Sequence, residues 1–116
     1  MSFCDKILAI NDRIRFVAHL DEDFNLVEMK QRPGVKSLTE EKTDQEFFGI
    51  IQPILLGAAS KLEKDFGILK SIRLKYAKAS VVFLRIPSAV VGISVEPGPL
   101  TPVIESVGRT YGLDLE

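Results

Sequence analysis

Hydrophobic and polar positions along this chain switch between two periods, and the switches mark out the elements. Phe3, Ile7 and Ile10 recur at helical spacing behind Ser2, a residue suited to an N-cap, and predict a short helix through about Asn11. From Arg13 to Asp21 the period falls to two. Ile14, Phe16, Ala18 and Leu20 alternate with Arg13, Arg15, Val17 and His19, a strand pattern. The polar run Asp21–Asn25 is a turn, Leu26–Gln31 returns as a second strand, and Arg32-Pro33-Gly34 breaks it. Ile68–Tyr76 alternates in part. Ala79–Ile86 and Ala89–Val95 are nearly continuous apolar runs, which is how strands covered on both faces read. Glu96-Pro97-Gly98-Pro99 forces a loop. Thr101-Pro102 reads as an N-cap followed by proline at the first helical position, opening a last helix that carries Val103, Ile104 and Val107 and stops before Gly112.

The segment Thr43–Phe66 carries the most informative pattern. Phe47, Ile51, Ile54, Ala58 and Leu62 form one helical stripe, and Phe48, Ile50, Leu55 and Ala59 widen it beyond an ordinary amphipathic face. Such a helix needs cover on two sides, from its own sheet and from something else; in a chain this small a second copy is the simplest candidate. Two starts compete for it, since Ser37 with Glu40 and Thr43 with Glu46 each fit a capping box. Pro53 lies inside it, and its ring collides with the carbonyl of Gly49, four residues back, so a kink without a break is expected. Gly67 suits a left-handed cap. The fold class is therefore α+β, in the order α-β-β-α-β-β-β-α. It has a five-stranded, mostly antiparallel sheet, the long helix on one face and the two terminal helices on the other. Nothing divides the chain, and one domain over residues 1–116 is expected.

Composition narrows the function classes. The 116 residues are 46% hydrophobic and 27% charged, enough for one core. A net charge of −1 gives no general attraction to nucleic acid or an anionic membrane. A single cysteine, Cys4, excludes an internal disulfide and a cysteine-based zinc cluster. The apolar run Ile50–Ala59 is interrupted by Gln52 and Pro53, so no membrane insertion is expected. The N-terminal residues show no charged region followed by an apolar core, so no signal peptide is expected and the default location is cytoplasmic.

Ile10-Asn11-Asp12-Arg13-Ile14-Arg15-Phe16-Val17-Ala18 with Leu20-Asp21, the long helix ending at Gly67, Ile72-Arg73-Leu74-Lys75-Tyr76 and Val91-Gly92-Ile93-Ser94-Val95 span almost the whole chain. In element order and apolar positions they resemble the roadblock / dynein light chain family, of profilin-like architecture. Two features depart from that pattern: Pro53 within the long helix, and the turn Asp21–Asn25 where many relatives carry an Asp-Gly-like turn. The resemblance implies a homodimer in which the long helices pack together and the third strands join two sheets into one, or a heteromer with another chain of the same fold. It implies a non-catalytic platform next to small Ras-like GTPases, signalling or trafficking assemblies, or motor complexes, with no cofactor and no active-site residues to carry over. On that reading Phe48, Ile51, Leu55 and Ala59 of the helix and Ile72 and Leu74 of the third strand are the expected dimer interface.

A few other side chains are candidates for chemistry. His19, the only histidine, has no second His or Cys with which to share a metal, and reads as a hydrogen-bonded or solvated strand residue. Asp21, Glu22 and Asp23 lack the glycine and distal glutamate of a calcium loop and read as a solvated turn. Arg13, Arg15, Arg73 and Lys75 share strand parities that place them on one side of the sheet, a candidate anion or partner surface set against a plain solvated face. Interleaved exposed aromatics and a basic excess are missing, so no nucleic-acid partner is expected. Gly49, Gly57 and Gly92 permit close backbone approach. Glu96–Pro99 lacks the spacing of a phosphate loop, and its prolines remove backbone donors. Cys4 reads as an inert thiol under the first helix. No Ser/His/Asp set is available beyond His19, so an enzyme is the weakest class. The stronger alternative is a small-molecule sensor domain of PAS or GAF type, whose sign would be an apolar pocket between sheet and long helix with a few convergent polar groups.

Overall fold

The computed structural model of the chain describes residues 2–115, with the side chains of Glu41, Gln45 and Ile51 outside that description. In chain order the elements are α1 (Phe3–Leu8), β1 (Ile14–Leu20), β2 (Leu26–Gln31), α2 (Glu41–Glu46), a π-helical turn (Phe47–Ile51), α3 (Gln52–Ser60), α4 (Glu63–Phe66), β3 (Ser71–Lys75), β4 (Ser80–Ile86), β5 (Ala89–Val95) and α5 (Thr101–Tyr111). The expected order holds, with the long helix carried by α2, the π turn, α3 and α4. The five strands form one sheet in the order β2-β1-β5-β4-β3, antiparallel at every pairing. β5 and β4 are flanked by strands and buried on both faces, which is why they read as continuous apolar runs.

Two apolar layers sandwich the sheet. On one face Ile7 and Leu8 of α1 and Val103, Ile104 and Val107 of α5 meet Val82, Leu84, Val91 and Ile93. On the other, Phe48 and Leu56 of the long helix meet Ala18, Leu20, Phe83 and Val90. Strand β1 serves both layers by a device that simple alternation misses. Ile14 pairs with Val95 and Phe16 with Ser94, so Arg15 is an extra residue in the ladder. Across this bulge Ile14 joins the α1/α5 layer, and Phe16 lies under the long helix. The expectation that Ile14 and Phe16 share a face is corrected accordingly.

Gly92 is where the second layer is tightest. It pairs with Phe83 across β5 and β4. A Cβ there would sit 2.9 Å from Phe83 Cε1 and 3.4 Å from Phe48 Cε1, so a bare backbone is what lets both rings pack against the strand.

The helix ends also differ in detail from expectation. Ser2 does cap α1: its hydroxyl accepts the Asp5 N–H while the Asp5 carboxylate accepts the Ser2 N–H. The helix stops at Leu8, short of Asn11. Neither capping box proposed for the long helix forms. Glu40 is the N-cap, with no side-chain bond to the helix, and the Thr39 hydroxyl instead donates to Asp44 at 2.5 Å. The last helix is capped by Leu100, and Thr101 is already helical. The kink expected at Pro53 takes the form of the π turn: the Gln52 N–H reaches back five residues to the Phe47 carbonyl. The widened turn immediately before Pro53 gives its ring room and lets the helix run on.

The Asp5 carboxylate also pairs with Lys30 on β2, tying α1 to the sheet edge. The bonds from Lys30 and from Ser2 hold its carboxyl down at about 2, below the usual 3.8. A depressed carboxyl pKa contributes stability that is present above 3.8 and lost as pH falls toward 2. Asp5→Asn is therefore expected to flatten the part of the acid-unfolding curve between these limits, measured by circular dichroism.

Gln52 is fully buried, and neither its amide nitrogen nor its amide oxygen has a partner among the described residues. An unpaired buried polar group costs about 1–3 kcal/mol. Gln52→Met keeps the length and removes the amide, and is expected to raise the denaturation midpoint by a stabilisation of about 1–2 kcal/mol. A lowered midpoint would mean that the amide bonds something inside the fold.

Candidate functional site

The long helix settles its own rotation through what it buries. Phe48, Gln52 and Leu56 are buried against the sheet, with the Phe48 ring centroid 5.2 Å from that of Phe16. Ile50 and Ile54 point the other way and are 62% and 68% exposed. Leu62, Phe66 and Ile68 continue the exposed apolar surface beyond α3. The long helix shares its core layer with Ile72 of β3, which is an edge strand of the sheet. Of the expected interface residues, Phe48 is corrected: it is 5% exposed and belongs to its own core. Leu55 and Ile72 are half-buried against the same core. Ala59 and Leu74 are half-buried as well, and the Ile51 side chain lies outside the described residues. The expected interface set left out the exposed Ile50, Ile54, Leu62 and Phe66, because a helix apolar almost all round offers no contrast from which to read its rotation.

A second feature lies beneath the start of this helix. A cleft of about 370 Å³ opens between α2, the sheet and the loop at 37–39. Its walls are mainly apolar, with Phe16 and Val81 on the floor, Phe47 and Phe48 on the helix side, and Leu38 and Tyr76 at the rim. Arg15, Asp44, Lys78 and Ser94 supply polar groups along it.

The four expected surface cations divide into two groups. Arg13 donates to the Pro99 carbonyl at 2.5 Å and to the Glu96 carbonyl at 3.1 Å. Arg15 pairs with the Glu96 carboxylate at 2.5 Å and donates to the Lys36 carbonyl at 2.7 Å. These two arginines fasten the connector after β5 and the loop after β2. Arg73 and Lys75 stand on β3, three strands away from β1 in the sheet, or about 14 Å at the usual strand spacing. The geometry offers no single four-residue patch.

The remaining candidates have local partners. His19 stacks on Phe3, with ring centroids 4.1 Å apart. Asp21 accepts the N–H groups of Asp23 and Asn25 at 2.9 Å each; the bond from Asn25 above all lowers its carboxyl pKa. This closes the hairpin around Phe24, whose φ of 67° is unusual for a bulky residue. The Phe24 ring is held against the long-helix layer and lies under the Arg85 guanidinium at 5.8 Å. Cys4 is fully buried, and burial pushes its thiol up to about 12, so it stays protonated and unreactive in the folded chain. Among the described residues no cluster of His, Cys, Asp or Glu is arranged to hold a metal ion, and no helix is long and apolar enough to cross a membrane.

No protein-family model and no curated protein sequence matches the chain. Solved structures do. MglB of Myxococcus xanthus matches over 94% of this chain and 85% of its own, with a TM-score of 0.69 at 15% identity. An MglB with a tetrameric arrangement matches over 93% of this chain and 79% of its own, with a TM-score of 0.68 at 12% identity. A Roadblock/LC7 domain from Streptomyces avermitilis matches over 94% of this chain and 88% of its own, with a TM-score of 0.66 at 4% identity. At such identities the likeness is one of architecture, and with the element order and sheet topology above it establishes that this chain has the roadblock fold.

Proposed function

We propose that this protein is a non-catalytic platform: one roadblock-type domain that pairs with a second copy and binds another protein, a small Ras-like GTPase or a signalling or trafficking complex. The observation that carries the reading is the exposed apolar set Ile50, Ile54, Leu62 and Phe66, on a chain whose strand β3 is an open edge of the sheet. A run of large exposed aliphatic and aromatic side chains from the π turn through α3 to α4, on a chain that also has an open sheet edge, is what a self-association surface looks like before it is covered. Gly57, between Ile54 and Leu62, supports it further, since nothing lies within 4 Å of where its Cβ would be and a second helix can approach closely there. Leu55, Ala59, Ile72 and Leu74 flank this surface. A solved MglB takes a tetrameric arrangement, and self-assembly on this fold is carried over to this chain as part of the proposal.

The test is the mass in solution by light scattering. A value twice the 12.9 kDa of one chain is expected. A monomer at all accessible concentrations would overturn self-association and turn the ridge into a surface for a different chain. The GTPase half is tested separately, by titrating Ras-like GTPases in their two nucleotide states against the labelled protein; equal, negligible affinity for both would remove it.

A further inference from the structure

The cleft under α2 is not needed by the platform reading, and it has the build of a ligand site. Its volume of about 370 Å³ lies in the range of small-molecule pockets. Aromatic rings face it from two layers, Phe16 from the sheet and Phe47 and Phe48 from the helix. Of its charged lining groups, Arg15 is engaged by Glu96 and the Lys36 carbonyl, and Asp44 is engaged by the Thr39 hydroxyl. Lys78 is left with no partner among the described residues. The Ser94 hydroxyl on the floor is in the same position. An apolar slot with an unpaired cation and unpaired hydroxyls on Thr43, Tyr76 and Ser94 among the described residues favours a ligand of complementary make-up, and its concave shape favours a small molecule over a flat protein surface.

We propose that this cleft binds a small amphipathic anion, an aromatic or short aliphatic body carrying one acidic group, with the acid on Lys78 and the body among Phe16, Phe47, Phe48 and Val81. The proposal stands independently of dimerisation and of any protein partner.

Decanoate is the probe, titrated into the full-length isotope-labelled protein and followed by amide chemical shifts, with decylamine as the charge-reversed control. Saturable binding of one decanoate per chain is expected, with the largest shifts at Phe16, Tyr76, Val81 and Ser94. Val81→Trp fills the floor and is expected to abolish binding while the spectrum stays folded. Lys78→Glu, at an exposed turn position where folding is not at stake, is expected to weaken decanoate about tenfold or more through loss of a charge-assisted contact. Three results would each overturn the proposal: no saturable shift by about millimolar probe, roughly the weakest affinity of interest; shifts confined to the Ile50–Ile54–Phe66 ridge; or decylamine binding as tightly as decanoate. Unchanged affinity in Lys78→Glu would remove the anion assignment in the same way.

Discussion

Ile54→Glu is expected to convert the proposed dimer into a folded monomer. Ile54 is 68% exposed in the single chain, so a carboxylate there stays in water and leaves the fold alone. Across a helix–helix seam the same carboxylate would be buried and unpaired, at a cost of about 3–5 kcal/mol. Each 1.4 kcal/mol is roughly a factor of ten, so the dimer dissociation constant is expected to rise by about two to three orders of magnitude or more. Light scattering reads the mass, and circular dichroism with a thermal melt reads the fold. An unchanged dimer would remove the ridge from the interface. The neighbouring position is a poorer probe, although the sequence pattern alone points to it. Leu55 is half-buried against Phe48 and its surroundings, and a charge there acts on the core and the seam together.

Phe83→Ala is expected to be the most damaging single truncation in the core. The ring is 1% exposed and centres the long-helix layer, 6.1 Å from the ring of Phe47 and 6.4 Å from that of Phe48. Truncating a buried phenylalanine costs about 3–5 kcal/mol, the lost transfer energy plus the cavity left behind. Against a total stability of about 5–15 kcal/mol, this is a large share. The thermal midpoint is expected to fall by about 10–20 °C. A second substitution tests the cause. Gly92→Ala alone forces its methyl into the Phe83 ring and is expected to destabilise by about 1–3 kcal/mol. In the Phe83→Ala background the same methyl enters the vacated space, so its cost should vanish or reverse. Additive effects in this cycle would show that the two positions do not share one packing contact.

The legible and illegible parts of this chain follow from how local each signal is. Ala89–Val95 was readable to the residue because all of it but Ser94 is buried and the run is almost wholly apolar. The hairpin at Asp21 was readable because its carboxylate closes the turn on backbone only two and four residues on. The bulge at Arg15 was hidden because it depends on which residue of β5 lies opposite, a non-local fact. The rotation of the long helix was hidden because Phe47, Phe48, Ile50, Ile54 and Leu55 ring it with apolar groups. The π turn decides which of them meet the sheet. The cleft left no trace in periodicity at all. One of its walls is the loop after β2, which Arg15 holds at the Lys36 carbonyl across a large separation in sequence.

The sheet's two borders differ in a way that limits growth. If β3 joins its counterpart in a second chain, the outer edges of the combined sheet are the two β2 strands. Along β2 the charged residues Glu28 and Lys30 alternate with Val27, Met29 and Gln31, and Lys30 is held by Asp5 of α1. The strand is followed by Pro33, which has no N–H to offer a further strand. Edges of this kind resist templating, so an assembly that begins at β3 ends at two chains and does not propagate into a filament. In a cell, this would mean that raising the protein's concentration fills dimers without nucleating fibres.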